Sequence, residues 1–187
     1  MKKIYAGIGS VLLLAGVAML AGCGNESKSL PNDEKPSTQS SSASEETFTN
    51  ETISITLNTN KYSVEIDKDF YKPSLRIVKS KEEYISVQKL KNGNEKITWT
   101  EDGNYTEEKL ETEFRDYISE LTGFTGIEKE VIGDKTLYKT ETSVNAIKSN
   151  IYRILTPNNN VYKIVVSGPN FKDTEESKTL LTNLKLQ

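Results

Sequence analysis

The chain has 187 residues, with 24 Lys and Arg against 27 Asp and Glu, and a net charge of −3. A net acidic chain without a basic cluster does not suggest nucleic-acid binding, which uses grouped Lys and Arg. The sequence contains no histidine and one cysteine, which excludes Ser-His-Asp and Cys-His triads, the usual zinc sites and an internal disulfide.

The first 22 residues have the pattern of a secretory signal peptide. Lys2 and Lys3 form a charged beginning, and residues 4–19 form an apolar stretch without Lys, Arg, Asp or Glu. This stretch is short and rich in Gly and Ala, whereas a membrane-spanning helix needs about 20 strongly apolar residues. A cleaved signal is therefore favoured over a permanent membrane span.

The segment ends in Leu20-Ala21-Gly22-Cys23, which resembles the lipobox of bacterial lipoproteins. Small residues before the cysteine let the backbone enter a narrow peptidase site, so cleavage is expected between Gly22 and Cys23. The Cys23 thiolate is the group that is alkylated to carry a diacylglyceryl anchor. Two acyl chains, such as palmitate, hold a protein stably on a membrane, so we expect a lipid-anchored protein that does not span it.

Composition also indicates a location. The chain has few arginines and many Lys, Asn, Ile and Thr, which is typical of proteins from low-GC Gram-positive bacteria. In such a cell the anchor would lie in the outer leaflet of the cell membrane, on its extracytoplasmic face. In a Gram-negative cell, Gly24 after the cysteine would favour the outer membrane.

The remaining chain divides into a tether and one domain. Residues 23–47 are predicted to be the lipidated cysteine and a disordered Ser-rich tether, because they hold too few apolar side chains to bury a core. Residues 48–187 are predicted to form a single globular domain, since about 140 residues bury roughly two thirds of the unfolded chain's surface.

The first part of this domain is predicted to be mainly β. Apolar residues alternate over most of the predicted strands, which are residues 53–57, 62–66, 75–78, 84–90 and 96–99. Asn58-Thr59-Asn60 provides a turn between the first two strands. Asn92-Gly93-Asn94 predicts a hairpin between the last two.

A helix is predicted for residues 106–121, ending before Gly123. Its expected buried face is Leu110, Phe114, Tyr117, Ile118 and Leu121. Glu107, Glu108 and Glu111 near its start suit the positive end of the helix dipole. The same three carboxylates could instead bind a cation, and we favour the dipole interpretation.

The second part returns to strands and ends in a helix. The predicted strands are residues 128–132, 136–144, 150–155 and 161–166, with turns at residues 133–134 and 157–160. Residues 162–166 are apolar on nearly both faces, which is typical of a central strand. The last helix is predicted for residues 174–184, with Asp173 as its cap and Leu180, Leu181 and Leu184 as its buried face. The fold class is therefore α+β, a mainly antiparallel sheet with helices packed on its faces.

This layout resembles the PsbP-like family, named for an extrinsic subunit of photosystem II. The matching segments are Lys61-Tyr62-Ser63-Val64-Glu65-Ile66, the helix at mid-chain, Ser149-Asn150-Ile151-Tyr152-Arg153-Ile154, Val161-Tyr162-Lys163-Ile164-Val165-Val166, and the closing helix that runs to Leu186. The resemblance implies an α/β/α sandwich with helices on both faces of the sheet. It implies binding or assembly and no particular reaction.

Aromatic residues are the candidates for a ligand site. Trp99, the only tryptophan, could form a ligand-facing surface with Tyr84 and Tyr105. The alternative, which we favour, is that Trp99 alternates with Ile97 into the core. No catalytic residue, cofactor or metal ion is expected.

The sequence leaves two classes of function open. The favoured one is a non-enzymatic binding or assembly module of the cell envelope, whose partner is an envelope protein or a small ligand. The alternative is an envelope hydrolase that works through two carboxylates, or an accessory protein that binds a small ligand. A small-solute receptor is disfavoured because about 140 residues are few for a domain with two lobes.

Overall fold

The computed structural model describes residues 44–67, 74–100 and 103–187. The predicted signal peptide, Cys23 and most of the tether lie outside the described residues. In the described ranges, the chain forms an α+β domain dominated by antiparallel sheet, and this confirms the predicted fold class. Within them, no helix has the length and apolar character needed to cross a membrane.

The described elements are ten strands and two helices. In chain order they are β1 Glu45–Asn50, β2 Ile53–Asn58, β3 Ser63–Asp67, β4 Ser74–Val78, β5 Tyr84–Lys89, α1 Glu107–Ser119, β6 Glu128–Ile132, β7 Lys135–Val144, β8 Ile147–Leu155, β9 Val161–Ser167, α2 Glu175–Asn183 and β10 Lys185–Leu186. A seven-stranded sheet has the order β3-β4-β5-β9-β8-β7-β6, and a three-stranded sheet has the order β1-β2-β10. β1 begins within the segment that the sequence assigns to the tether.

One face of the seven-stranded sheet is covered by the three-stranded sheet and α2. Leu180, Leu181 and Leu184 are buried there, as predicted, together with Tyr152 and Ile154 of β8. Burying side chains of this size stabilises the fold by about 1.5–3 kcal/mol each relative to exposure. We call this side of the sheet the α2 face.

The opposite side, the α1 face, carries the first helix. Leu110, Phe114 and Ile118 are buried with Ile151 of β8 and Val161 of β9. Successive residues of a strand point to opposite faces, so β8 and β9 contribute to both layers. β9 is the middle strand of the sheet, as its two apolar faces predict.

The prediction that residues 84–90 and 96–99 form a hairpin is wrong. Residues 90–100 form no strand, although the chain does turn there. β5 pairs with β4 on one edge and with β9 on the other. Because both edges are occupied, residues 96–99 have no strand to pair with, and Ile97 packs into the core of the α1 face instead.

The turn at residues 58–60 joins two different sheets. β2 pairs with β1 and β10, whereas β3 pairs with β4 and forms an edge of the larger sheet. Val64 is partly buried against the α2-face core, but Ile66 on the same strand is 37% exposed. An edge strand is covered incompletely, which explains why the predicted buried face of β3 is only partly formed.

Both helices begin at a threonine. The hydroxyls of Thr106 and Thr174 accept hydrogen bonds at 3.2 Å from the backbone N–H three residues further on. The prediction that Asp173 caps the last helix is wrong, because Thr174 is the cap. The Asp173 carboxylate accepts hydrogen bonds from Lys172 and Asn150 instead.

The first helix ends earlier than predicted. α1 stops at Ser119 and Glu120 is its C-terminal cap. Gly123 follows with a φ of +83°, in the left-handed region. Leu121 therefore lies beyond the last turn and is 39% exposed, so its assignment to the buried face is wrong.

Candidate functional site

A fully buried arginine lies on β8 beneath α1. Arg153 follows Tyr152 in an alternating strand, so its side chain points to the α1 face together with that of Ile151. Its side chain is 0% exposed. Arginine is rarely buried completely unless its charge is paired, so the groups around it decide what this residue does.

Glu95 is the anion that reaches Arg153. Nη2 of Arg153 donates to the backbone oxygen of Glu95 at 3.0 Å and to its carboxylate Oε2 at 3.3 Å. The other carboxylate oxygen accepts a hydrogen bond from Lys163, which lies directly opposite Arg153 on β9. Two like charges at opposed strand positions repel each other, and the Glu95 carboxylate lies between them and offsets this repulsion.

The hydrogen bonding of Arg153 is incomplete. Its Nε and Nη1 atoms are buried and have no hydrogen-bond acceptor among residues 44–67, 74–100 and 103–187. An unsatisfied buried donor costs about 1–3 kcal/mol, and more when it is charged. Burial lowers the pKa of Arg153, and the attraction of Glu95 offsets this only in part.

Aromatic rings surround the guanidinium group. Its Cζ atom lies 4.5 Å from the ring centroid of Phe114 and 4.9 Å from that of Tyr117. Cation–π contacts at these distances stabilise the charge without using its hydrogen-bond donors. We call Arg153, Lys163, Glu95, Phe114 and Tyr117 the Arg153 cluster.

Glu95 is presented by a strained turn. Ile97 N donates to Asn94 O at 2.9 Å across this turn. The two central residues, Glu95 and Lys96, have φ values of +48° and +63°. Residues other than Gly, Asn and Asp adopt this region at a cost of roughly 1–2 kcal/mol each. The ion pairs of Glu95 with the two cations and of Lys96 with Glu120 hold the turn in place.

A second carboxylate ties the neighbouring loop to α1. Glu113 accepts hydrogen bonds from the hydroxyls of Tyr105 and Thr98 and, at 3.1 Å, from the Thr98 backbone N–H. Burial and the bond to Glu113 raise the pKa of Tyr105, and its hydroxyl donates a hydrogen bond to Glu113. The loop therefore covers the Arg153 cluster in a defined position.

The structure brings two of the three predicted aromatic residues together. The ring centroids of Trp99 and Tyr105 are 4.9 Å apart, and both rings belong to the packed cluster under α1. Tyr84 lies at the far end of β5, where the guanidinium of Arg76 is 3.9 Å from its ring centroid. Trp99 is half-buried beside buried Ile97, but in a loop and not through strand alternation.

Sequence reasoning missed Arg153, Lys163 and Glu95. A clue was present for the first of these, because Arg153 is the only charged residue in the otherwise apolar end of β8. No local pattern marks Glu95, which is 58 residues away in the chain from Arg153.

Glu107 and Glu111 near the start of α1 are each paired with a different surface cation. Glu107 lies 3.3 Å from Lys129, and Glu111 lies 2.8 Å from Arg115. Throughout the described ranges, no group of three or more acidic or cysteine side chains is arranged to bind a metal ion. The positions of Glu107 and Glu108 in the first turn suit the helix dipole.

A second buried charge lies on the α2 face of the same sheet. Lys172 is 6% exposed and contacts the carboxylates of Glu141, at 3.1 Å, and Asp173. Asn150 of β8 donates to Asp173 at 2.8 Å. Burial works to lower the pKa of Lys172, but the bonds to Asp173 and Glu141 outweigh it and the pKa lies above its ordinary value. We call these four residues the Lys172 cluster.

An open cleft of about 960 Å³ lies elsewhere in the described part of the chain. It lies between the β6–β7 turn and β10, and its lining includes Glu45, Lys135, Thr156 and Leu186. None of the predicted aromatic residues lines it. The cleft has space for a ligand, but it lacks the converging buried polar groups of the Arg153 cluster.

Comparisons with known proteins assign no family or function to this chain. No protein-family model matches the chain, and no curated protein matches it at a significant level. The resemblance to the PsbP-like family stays a prediction.

Proposed function

We propose that this protein is a lipid-anchored lipoprotein of the cell envelope whose α+β domain is a non-enzymatic binding module. The signal pattern that ends at Cys23 supports the location. The incompletely bonded Arg153 beneath α1 supports binding, and this is the observation that carries the proposal. A buried charge with free donors reduces stability, and proteins retain such costs mainly where function uses the group.

The proposed ligand surface is the α1 face around residues 94–99. In this region a buried cation, aromatic rings and a strained turn lie together. Binding sites combine apolar and aromatic walls with a few placed polar groups, and this surface has the same composition. The tether would present this surface to envelope partners while leaving the domain free to turn.

Lipid anchorage is tested by cell fractionation. The full-length protein should sediment with membranes and enter the detergent phase, whereas the Cys23→Ala variant should be released in soluble form. Equal membrane association of the two proteins would contradict the proposed anchor.

Binding is tested by site-specific photocrosslinking on intact cells. A crosslinker replaces Lys96 beside the Arg153 cluster, and the control replaces Lys178 on α2, whose side chain is similarly exposed at 41% against 40%. We expect a distinct product at position 96 that is absent at position 178. The same abundant neighbours at both positions would overturn the proposal that an envelope protein binds this surface.

A further inference from the structure

We propose that Arg153 and Lys163 form a binding site for the carboxylate group of a small ligand, and that Glu95 occupies this site until the ligand displaces it. The inference rests on the proposed binding function and names the chemical class of the ligand. Its geometric basis is the position of the Glu95 carboxylate, which bridges one buried and one partly buried cation.

The charges in the cluster favour an anion. Two cations face each other across β8 and β9, with one carboxylate between them. Arg153 keeps two buried nitrogen atoms without an acceptor in the described residues. A carboxylate can accept two parallel N–H donors from a guanidinium group, and Glu95 uses only Nη2. A free ligand, which is not attached to the backbone, can take a position that satisfies more of these donors.

The backbone supplies a reason for Glu95 to leave. Glu95 and Lys96 are both in the left-handed region, and such conformations persist only where surrounding contacts hold them. When a ligand carboxylate replaces that of Glu95, the turn loses both ion pairs of Glu95 and keeps only that of Lys96 with Glu120, which lets it relax. Displacement of Glu95 therefore changes the turn that precedes Trp99, while Glu113 still holds Thr98 to α1.

The test uses acetate as the simplest carboxylate probe. Glu95→Ala removes the built-in competitor and leaves a space of carboxylate size. We expect isothermal titration calorimetry, at constant ionic strength set with sodium chloride, to show at least tenfold tighter acetate binding to E95A than to the wild type. Equal affinities, or no binding by either protein, would overturn the inference.

Further substitutions in the E95A background locate the site. Lys163→Met should weaken acetate binding at least tenfold, and Arg153→Met should abolish it. Arg115→Met is the matched control, because Arg115 is an exposed arginine on α1 paired with Glu111, and it should leave the affinity unchanged. If R153M does not fold, the acetate affinity of K163M alone tests the proposed site. An unchanged affinity in K163M would then overturn the inference.

A parallel titration with inorganic phosphate separates the two anion classes. Tighter binding of phosphate than of acetate to E95A would overturn the assignment to carboxylates. In the wild type, saturation with acetate should also shift the emission of Trp99, the only tryptophan. Binding to E95A with unchanged Trp99 emission in the wild type would show that Glu95 is not displaced, and would overturn the inference.

Failure of this inference can be distinguished from failure of the proposed function. A specific crosslink at position 96 together with no acetate binding would retain the binding module and remove the carboxylate site. Acetate binding to E95A without any specific crosslink would retain the anion site and remove the envelope partner.

Discussion

The two faces of strand β8 differ in how completely a buried cation is paired with carboxylates. On the α2 face, Lys172 contacts two carboxylates, and their attraction outweighs burial and holds its pKa above the ordinary value. On the α1 face, Arg153 has one carboxylate to share with Lys163, and burial outweighs this attraction and lowers its pKa. Lys172 is therefore well paired, whereas Arg153 is underpaired and keeps two nitrogen atoms without an acceptor in the described residues.

This difference shows how a structural charge is told from a candidate binding charge. The carboxylates that hold Lys172 are about half exposed, at 44% for Glu141 and 55% for Asp173, and remain hydrated while they bond to it. Arg153 is enclosed by the rings of Phe114 and Tyr117, and neither residue accepts a hydrogen bond from it. We conclude that the Lys172 cluster stabilises the fold, whereas the unsatisfied donors of Arg153 cost stability.

The largest expected effect on stability comes from removing one aromatic ring from each face. Phe114 on the α1 face is 0% exposed and Phe171 on the α2 face is 1% exposed. Phe171→Ala should lower the free energy of unfolding by about 3–5 kcal/mol. Phe114→Ala should lower it by about 1 kcal/mol less, because water in the new cavity can accept hydrogen bonds from Arg153 and this outweighs the lost cation–π contact. Urea denaturation measures both values, and a larger loss for F114A would contradict the comparison.

Replacement of each cation by methionine tests the comparison directly. Lys172→Met should cost about 2 kcal/mol, because it removes charge-assisted hydrogen bonds to two carboxylates. Arg153→Met should change stability by less than about 1 kcal/mol, since an underpaired buried charge is lost and Glu95 keeps Lys163. The measurement is urea denaturation of both variants and of the wild type. A greater loss for R153M than for K172M would reverse the two assignments.

The helix caps offer a smaller and more local test. Thr106→Ala and Thr174→Ala should each cost about 1 kcal/mol, because each removes the acceptor of a backbone N–H. Hydrogen exchange should then accelerate in α1 for T106A and in α2 for T174A. Faster exchange in both helices for either variant would indicate that the two faces are not independent.

Acid titration gives the smallest effect. Burial raises the pKa of Asp173, but hydrogen bonds from Lys172 and Asn150 outweigh it and hold the pKa below its ordinary 3.8. The stabilisation by Asp173 is therefore present above pH 3.8 and is lost as the pH falls through the lower, folded-state value. Because Asp173 is half exposed, the loss should be less than about 1 kcal/mol. The loss should be absent from Asp173→Asn in acid denaturation, and an identical acid profile for D173N would contradict the prediction.

Local patterns predicted most elements of the domain. The strand of residues 128–132 matches β6 at both ends, and the central position of β9 follows from its two apolar faces. Errors occurred where a local pattern competed with a distant partner. Asp173 has the chemistry of a cap, but Lys172 and Asn150 bind its carboxylate, so Thr174 caps the helix.

By itself, the sequence determined the α+β class, the position of both helices and most of the strands, because side-chain periodicity depends on residues only a few positions apart. Only the tertiary structure decided which edges pair, how β2 and β3 divide between two sheets, and that residues 96–99 remain outside both. It also decided the candidate site, because Glu95, Arg153 and Lys163 meet through contacts between residues 58 and 68 positions apart. Such contacts follow from the packing of the turn at residues 94–97 on β8 and β9, and they leave no period in the sequence.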